Sequence, residues 1–380
     1  MIRTLFLAAV ACSVGMARAG ESAGDFVNNM RAGSRRYTTS PPISWLATQL
    51  ETITNDPAIP VLGPASACGD TAATEWRAME TTNGTFNFTG LNQMLAVQHA
   101  NGAQFVILKI HRPPPDVDAV GWAVPSPSNY VTRISRLVAH LAAHTTTATS
   151  GLWIIPDNEP DHTPAGFDRH AAVLKACWQA SQGRLKIVGC VLQDRRPQCF
   201  AELAERGCTN WCDAVSFHYY NSWEMAPDLP GLGGKFDTVY NDVRAIAANF
   251  PGKPIFCDEF GVALNTERTR KAILMMLAAG VQMILPFDWT GDMTHPGDDV
   301  SRFHGDEPYA FYPCWNVTSN RPAPWAQCVV DLAGQIGSNP KATLSRTPSG
   351  RYEIKFSNGA VYSWNTNGLG PIDYYVVTRP

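Results

Sequence analysis

Short, continuous apolar runs alternate with amphipathic segments along the chain from about residue 100 onward. Apolar runs of about four to eight residues are typical of strands that are buried on both faces, as in parallel sheets. The intervening segments repeat their apolar residues at helical spacing, which predicts helices between the strands. Six strands are predicted in this region, at Phe105–His111, Gly151–Ile155, Leu185–Leu192, Ala214–His218, Pro254–Cys257 and Val281–Phe287.

The N-terminal part carries a weaker pattern. Ile59–Leu62 is the candidate second strand, a helix at Leu91–His99 follows it, and the first strand is expected between Gly20 and Ser44. Eight βα units of this kind predict an α/β fold, a (β/α)8 TIM barrel, whose typical length is ~250 residues before insertions. An open doubly wound sheet is the alternative, but it would call for a Gly-rich phosphate-binding turn after an early strand. The sequence has no such turn.

The pattern changes to a two-residue period after a last predicted helix at Trp325–Ile336. Ser357-Asn-Gly359 lies between two alternating runs, which indicates a β-hairpin. A segment of this size buries too little surface to fold alone, so we expect it to pack on the barrel. The predicted domains are a leader at 1–19, the barrel at 20–336 and a small antiparallel β appendage at 337–380. A structural cap is the favoured role of the appendage, and sugar binding is the alternative.

The first residues have the pattern of an export signal. A basic start at Arg3 precedes an apolar run at Leu5–Val14, and Ala17-Arg-Ala19 offers a cleavage site before Gly20. The apolar run is too short to span a bilayer as a helix. We therefore expect a secreted protein that has no membrane partner after the signal is cleaved.

Composition narrows the possible partners. The chain has 30 basic and 33 acidic residues, a formal net charge of −3 and no basic run, which disfavours nucleic acid as a partner. Aromatic residues make up 10% of the chain, and many follow predicted strands, as in clefts where sugar rings stack on aromatic faces. Export permits disulfides, and Cys199 with Cys208 or Cys212 is a plausible pair.

Two glutamates occupy strand ends at which a barrel places its active site. Glu159 follows the fourth predicted strand and Glu259 follows the seventh. Cleavage of a glycosidic bond needs such a pair. One carboxyl must give a proton to the leaving oxygen, while the other attacks the anomeric carbon or activates a water molecule. Asn158 directly precedes Glu159, and an amide there can bind a sugar hydroxyl. The pattern therefore predicts a glycoside hydrolase that uses no cofactor and no metal.

The motifs at these strand ends resemble those of glycoside hydrolase clan A. Asn158-Glu159-Pro160 and Asp258-Glu259-Phe260-Gly261 match the two catalytic motifs, while His218-x-Tyr220 and Trp289 match subsites after the sixth and eighth strands. The resemblance covers roughly residues 60–290. The motifs are similar both to those of the β-xylosidase/α-L-iduronidase family and to those of secreted endo-β-glucanases.

The resemblance implies a retaining mechanism, with Glu159 as the general acid/base and Glu259 as the nucleophile. It also implies that Tyr220 hydrogen-bonds the nucleophile, that His218 lines the cleft and that Trp289 forms a sugar platform. Lys109, His111 and Trp122 are expected to reach the site from the third strand and its loop. We expect a monomer acting on a polysaccharide or oligosaccharide. A catalytically inactive TIM-barrel carbohydrate-binding protein and a metal-dependent barrel hydrolase are the alternatives.

Overall fold

A computed structural model describes most of the predicted barrel and most of the C-terminal appendage. The predicted leader at 1–19 lies outside the described residues. These residues are 48–50, 65–68, 74–100, 105–110, 112–117, 127–144, 151–162, 166–193, 195–220, 235–261, 266–286, 315–316, 321–322, 324–337, 340–367 and 370–377.

Eight strands form one sheet in which neighbours along the chain are also neighbours in space. All of the pairings along the sheet are parallel, and the first strand lies beside the last. This arrangement confirms the predicted TIM barrel. The strands are β1 (Thr48–Leu50), β2 (Ala65–Cys68), β3 (Phe105–Lys109), β4 (Leu152–Ile155), β5 (Lys186–Leu192), β6 (Ala214–Tyr220), β7 (Ile255–Gly261) and β8 (Met283–Pro286).

The predicted positions of the first two strands were wrong. β1 begins at Thr48, after the interval in which we expected it, and β2 is Ala65–Cys68. The predicted second strand, Ile59–Leu62, lies outside the described residues. Ala-Ser-Ala-Cys contains only small side chains and lacks the branched apolar residues that mark a strand in sequence. Backbone pairing with β3, where Ala65 lies opposite Phe105, defines this strand instead.

Helices lie between the strands at nearly the predicted positions. In the longest one, Ile134, Leu137, Val138 and Leu141 form the buried face, which is the periodicity seen in the sequence. No helix in the described part of the chain is long and apolar enough to cross a membrane. The helices are α1 (Thr89–Ala100), α2 (Pro127–His144), α3 (Gly166–Ser181), α4 (Pro197–Glu205), α5 (Lys235–Asn249), α6 (Thr266–Ala279) and α7 (Pro324–Ile336).

Several short elements join these units. The chain between β2 and α1 contains a one-turn helix at Trp76–Met79 and a hairpin of Glu80–Thr82 with Thr85–Phe86. Turns of 3-10 helix follow β4 and α4, at Pro160–His162 and Cys208–Asn210. Two further short segments, Trp315–Asn316 and Arg321–Pro322, pair with each other before α7.

The apolar core has two parts, one inside the barrel and one between the sheet and the helices. The larger part joins the outward faces of the strands to the helices. Cys208 and Cys212 are buried there with free thiols, so the predicted disulfide of either one with Cys199 is not formed. The barrel interior is filled by Ile107, Ile155, Val188, Val191, Ala214, Phe256, Met283 and Leu285.

The C-terminal residues form a four-stranded antiparallel sheet in chain order: β9 (Ala342–Arg346), β10 (Arg351–Phe356), β11 (Ala360–Asn365) and β12 (Asp373–Val376). Tyr352 and Trp364 on its inner face are fully buried in the same core as the barrel helices. Lys271 of α6 donates a hydrogen bond to the carbonyl of Gly370 at 2.6 Å. The sheet thus packs against the barrel, as its size requires.

A buried glutamate ties the hairpin before α1 to helix α2. The Glu80 carboxylate accepts hydrogen bonds from Trp76 Nε1 at 2.7 Å and from the Gly84 amide at 3.0 Å. It also pairs with Arg133 at 3.1 Å and with Arg136 at 3.2 Å. The Arg133 side chain is buried, whereas that of Arg136 is 39% exposed. Breaking the buried Arg133 pair should therefore cost far more stability than breaking the exposed Arg136 pair.

We expect Glu80→Gln to lower the free energy of unfolding by about 2–3 kcal/mol, because it leaves the buried Arg133 guanidinium with the exposed Asp116 carboxylate as its remaining described counter-charge. Arg136→Ala is the matched control and should cost less than about 1 kcal/mol, since water screens an exposed pair. Urea unfolding followed by tryptophan fluorescence measures both. Equal losses for the two variants would contradict this assignment.

Candidate active site

Four barrel strands carry the polar side chains that meet at the carboxyl-terminal end of the sheet. Lys109 ends β3, Glu159 lies just after β4, His218 lies on β6 and Glu259 lies on β7. Their convergence brings together four of the residues singled out from the sequence, and Asn158 precedes Glu159 beside them. Tyr220 ends β6, and its side chain is outside the described part; His111, Trp122 and Trp289 are likewise outside it.

A single histidine bridges the two glutamates. His218 Nδ1 lies 2.6 Å from Glu159 Oε1 and 3.3 Å from Glu259 Oε2. One oxygen of each carboxylate and this ring nitrogen lie within 4.8 Å of one another. The His218 ring is fully buried, while the glutamate side chains are 15% and 12% exposed. The two carboxylates thus face each other above the buried ring and retain access to solvent.

A buried lysine lies beneath Glu259. The Lys109 ammonium lies 2.9 Å from Asp258 Oδ2 and contacts Glu259 Oε1 directly. Its side chain is 2% exposed, and that of Asp258 is fully buried. A buried ammonium is tolerated only when it is paired, so Lys109 depends on both acids. The contact fixes the position of one Glu259 oxygen at the inner side of the site.

An irregularity in β7 allows neighbouring acids to share this lysine. Successive side chains of a regular strand point to opposite faces. Between β6 and β7 the register shifts, because Phe217 lies opposite Cys257 whereas His218 lies opposite Glu259. Asp258 is the extra residue of a β-bulge, a feature that re-aims side chains. Both Asp258 and Glu259 therefore reach Lys109.

Asp258 completes a buried network of charges. Its carboxylate accepts a hydrogen bond from the Ser216 hydroxyl and lies 3.5 Å from His218 Nε2. The Ser216 oxygen in turn accepts the Asp258 backbone N–H at 3.2 Å. Two cationic side chains, Lys109 and His218, thus alternate with the carboxylates of Asp258, Glu259 and Glu159.

These contacts set the protonation of the network. Burial alone would lower the pKa of His218, but the carboxylates of Glu259 and Asp258 outweigh it and raise that pKa to about 10. Burial likewise opposes the charge on Lys109, yet Asp258 and Glu259 raise the lysine pKa above its ordinary value. Burial would raise the Asp258 pKa, and the nearby Lys109 and His218 charges hold it well below its usual range. At neutral pH both cations and Asp258 are charged.

The backbone at Glu159 has a left-handed conformation. Its φ is +48°, a value that costs a residue with a Cβ roughly 1–2 kcal/mol. Its amide donates a hydrogen bond of 2.8 Å to the carbonyl of Val191 in β5. The neighbouring strand therefore holds this backbone, and the Glu159 side chain with it, in a conformation that the local sequence disfavours.

Asn158 is positioned beside Glu159 with an unused acceptor. The residue is 9% exposed, and its Oδ1 has no hydrogen-bond partner among the residues that the structure describes. A buried acceptor without a partner is costly unless a ligand or water satisfies it. The oxygen is thus suited to accept a hydrogen bond from a hydroxyl group in the cleft.

Sequence reasoning missed Asp258, Ser216 and the support of the Glu159 segment. Asp258 was visible only as the neighbour of Glu259, and strand alternation would place it on the opposite face. Asp157, in the segment after β4, accepts hydrogen bonds from His170 at 3.0 Å and Arg169 at 3.3 Å. No sequence motif marks either arrangement, because both depend on contacts between distant strands and helices.

Comparisons with known proteins identify the fold. No family model matches the sequence, and no curated protein matches it. Among solved structures, a family 39 glycoside hydrolase from the gut symbiont Bacteroides cellulosilyticus is similar, with 12% identity and a TM-score of 0.55. The match covers 80% of this chain and only 65% of that longer protein.

Two further solved structures are similar to this chain. The endo-1,4-beta-xylanase XylE of Penicillium canescens has 14% identity and a TM-score of 0.52, covering 80% of this chain and 96% of that one. A family 5 xyloglucan-specific endo-beta-1,4-glucanase from a metagenomic library has 15% identity and a TM-score of 0.51, covering 71% and 84%. The chain therefore shares the barrel fold of these glycoside hydrolases.

The protonated His218 ring makes stability depend on pH. Because its pKa is raised from 6.5 to about 10 on folding, its contribution is complete below pH 6.5 and is lost as pH rises through 10. We expect the free energy of unfolding to fall across this window in the wild type and to fall less in His218→Gln. Urea unfolding at a series of pH values measures both slopes.

His140, an exposed histidine of α2, provides the control. His140→Gln should keep the wild-type slope. NMR of the imidazole nitrogens offers a direct check, since His218 should carry a proton on both nitrogens at pH 8. A neutral His218 ring at that pH would contradict the electrostatic assignment.

Proposed function

We propose that this protein is a secreted glycoside hydrolase that cleaves O-glycosidic bonds of a polysaccharide or oligosaccharide with retention of configuration. The observation that carries the proposal is the pair Glu159 and Glu259, which face each other across His218 at the strand ends. Their nearest oxygens lie within 4.8 Å of each other. Retaining enzymes separate their carboxyl groups by ~5–5.5 Å and inverting enzymes by ~6.5–9.5 Å, to leave room for water. The short separation supports retention.

In this mechanism Glu259 attacks the anomeric carbon while Glu159 protonates the leaving oxygen. The contact with the Lys109 ammonium supports an ionised, correctly placed Glu259 carboxylate. The protonated His218 Nδ1 donates a hydrogen bond of 2.6 Å to Glu159, and transfer of this proton to Glu159 supplies the proton for the leaving group. As the bond from carbon to the leaving oxygen breaks, Glu259 forms the glycosyl ester. Glu159 then takes a proton from water, and the hydroxide attacks the anomeric carbon and releases Glu259.

The remaining site residues would bind the sugar. The Oδ1 of Asn158, which has no partner among the described residues, supports a hydrogen bond to a sugar hydroxyl, and such bonds strengthen in the transition state. His111, Trp122, Tyr220 and Trp289 stay predicted substrate contacts on the basis of the sequence. Secretion and a monomeric state are also proposed from the sequence.

A metal-dependent hydrolase is the second candidate, because Glu159, His218 and Glu259 could together hold a cation. The charges oppose it. A ligating imidazole must be deprotonated, so a cation would have to displace the proton that Glu259 and Asp258 stabilise on His218. Lys109 also occupies one oxygen of Glu259. Unchanged activity after treatment with a chelator would exclude metal dependence, and loss that zinc or calcium restores would favour it.

Hydrolysis itself is tested by replacing the nucleophile. Glu259→Ala should lower kcat at least about a thousandfold. Azide should restore cleavage of a dinitrophenyl glycoside and give a glycosyl azide of inverted configuration, because it enters the space left by the carboxylate. Release of dinitrophenolate and NMR of the product measure these outcomes.

Glu202→Ala, at an exposed position of α4, is the control and should keep full activity. A fully active Glu259→Ala would refute the assignment.

A screen of the wild type against xylans, β-glucans, mannans and aryl glycosides identifies the substrate. Binding to one of these glycans without any hydrolysis would favour the catalytically inactive carbohydrate-binding protein.

A further inference from the structure

A closed ring of contacts lies behind Glu159, on the side away from the cleft. β5 contains a bulge, because Gly189 lies opposite Val215 whereas Leu192 lies opposite Phe217, which leaves one extra residue in β5. Cys190, within this bulge, has a left-handed φ of +55°. The next residue of the bulge, Val191, presents the carbonyl that accepts the amide of Glu159.

One side chain joins the two segments of this ring of contacts, the end of β4 and the β5 bulge. His170, on α3, is fully buried. Its Nε2 lies 3.0 Å from the Cys190 amide, and its Nδ1 lies 3.0 Å from Asp157 Oδ2. Asp157 stands two residues before Glu159, and Cys190 directly precedes Val191. The His170 imidazole therefore contacts each of the two backbone segments that meet at the Glu159–Val191 hydrogen bond.

The hydrogen bonds fix the tautomer of His170. A backbone amide can only donate, so Nε2 must offer its lone pair to Cys190. The proton then resides on Nδ1 and is donated to the Asp157 carboxylate. Arg169 binds the other Asp157 oxygen at 3.3 Å, so both carboxylate oxygens are held. These hydrogen bonds are thus all satisfied by a single orientation of the imidazole.

We propose that His170 is a positioning residue for the general acid/base Glu159. It holds the β5 bulge with one nitrogen and the β4 end with the other, and together these hold Glu159 in its left-handed conformation. This inference rests on the proposed function and extends it beyond the groups that line the cleft. His170 touches no reacting atom, and it acts through the backbone.

Leaving-group dependence separates positioning of the acid from general destabilisation. A 2,4-dinitrophenolate leaves without protonation, whereas an unactivated phenolate needs the proton of the acid. We expect His170→Phe to lower kcat/KM about 100-fold for the phenyl glycoside and less than about threefold for the dinitrophenyl glycoside. The xylobioside or cellobioside series serves as the probe, whichever the wild type hydrolyses. The dinitrophenyl 2-deoxy-2-fluoroglycoside, which labels Glu259, counts the folded sites and corrects both values.

Two variants control the experiment. The side-chain amide of His170→Gln can donate to Asp157 while its carbonyl accepts from Cys190, so this variant should recover to within about tenfold of the wild type. Val173→Ala removes apolar volume from the same buried helix face without removing a polar contact. It should lower stability and leave the ratio of the two kcat/KM values unchanged.

An equal loss on both substrates in His170→Phe would overturn the proposal, as would an unchanged phenyl glycosidase activity. A crystal structure of His170→Phe provides a test that needs no activity. The Glu159 amide should lose its hydrogen bond to Val191, and a retained bond would overturn the proposal. If the wild type hydrolyses nothing, the proposed function fails, while the crystal structure still decides whether His170 positions Glu159.

Discussion

Neutralisation of buried charge is the constraint on which the site depends. Lys109 and His218 are both withdrawn from water at the end of the barrel, where an uncompensated charge would be very costly. Their charges are balanced by Asp258, Glu259 and Glu159, which come from two other strands. The network is therefore complete only when β3, β4, β6 and β7 occupy their places in the closed sheet. Assembly of the site therefore requires these four strands to be in place.

Bulges adapt a regular sheet to this purpose. A parallel barrel provides strand ends that converge on one face, but its two-residue alternation sends neighbouring side chains apart. The extra residue in β7 brings Asp258 and Glu259 to the same lysine, and the extra residue in β5 turns a carbonyl toward Glu159. Glu259 therefore lies in one bulge and Glu159 lies beside the other, and buried polar contacts support both bulges.

The sequence predicted the parts of this arrangement that leave a local pattern. From Phe105 onward, apolar runs located six strands, although β7 extends to Gly261 and was predicted to end at Cys257. Glu159 and Glu259 were found because they follow two of the predicted strands. β2 was misplaced because Ala-Ser-Ala-Cys has no strand signal, and its place depends on pairing with β3. Asp258 was assigned no role because one inserted residue reverses the direction of a side chain. Such shifts arise from contacts between distant segments.

The alternation of cations and carboxylates also limits how this site can change over time. Loss of Lys109, Asp258 or His218 alone would leave a buried neighbour with an unpaired charge. The stability losses from such substitutions are strongly non-additive. A lineage can therefore exchange these residues only through a compensating second substitution or through a less stable intermediate. The charged network is thus inherited as one unit.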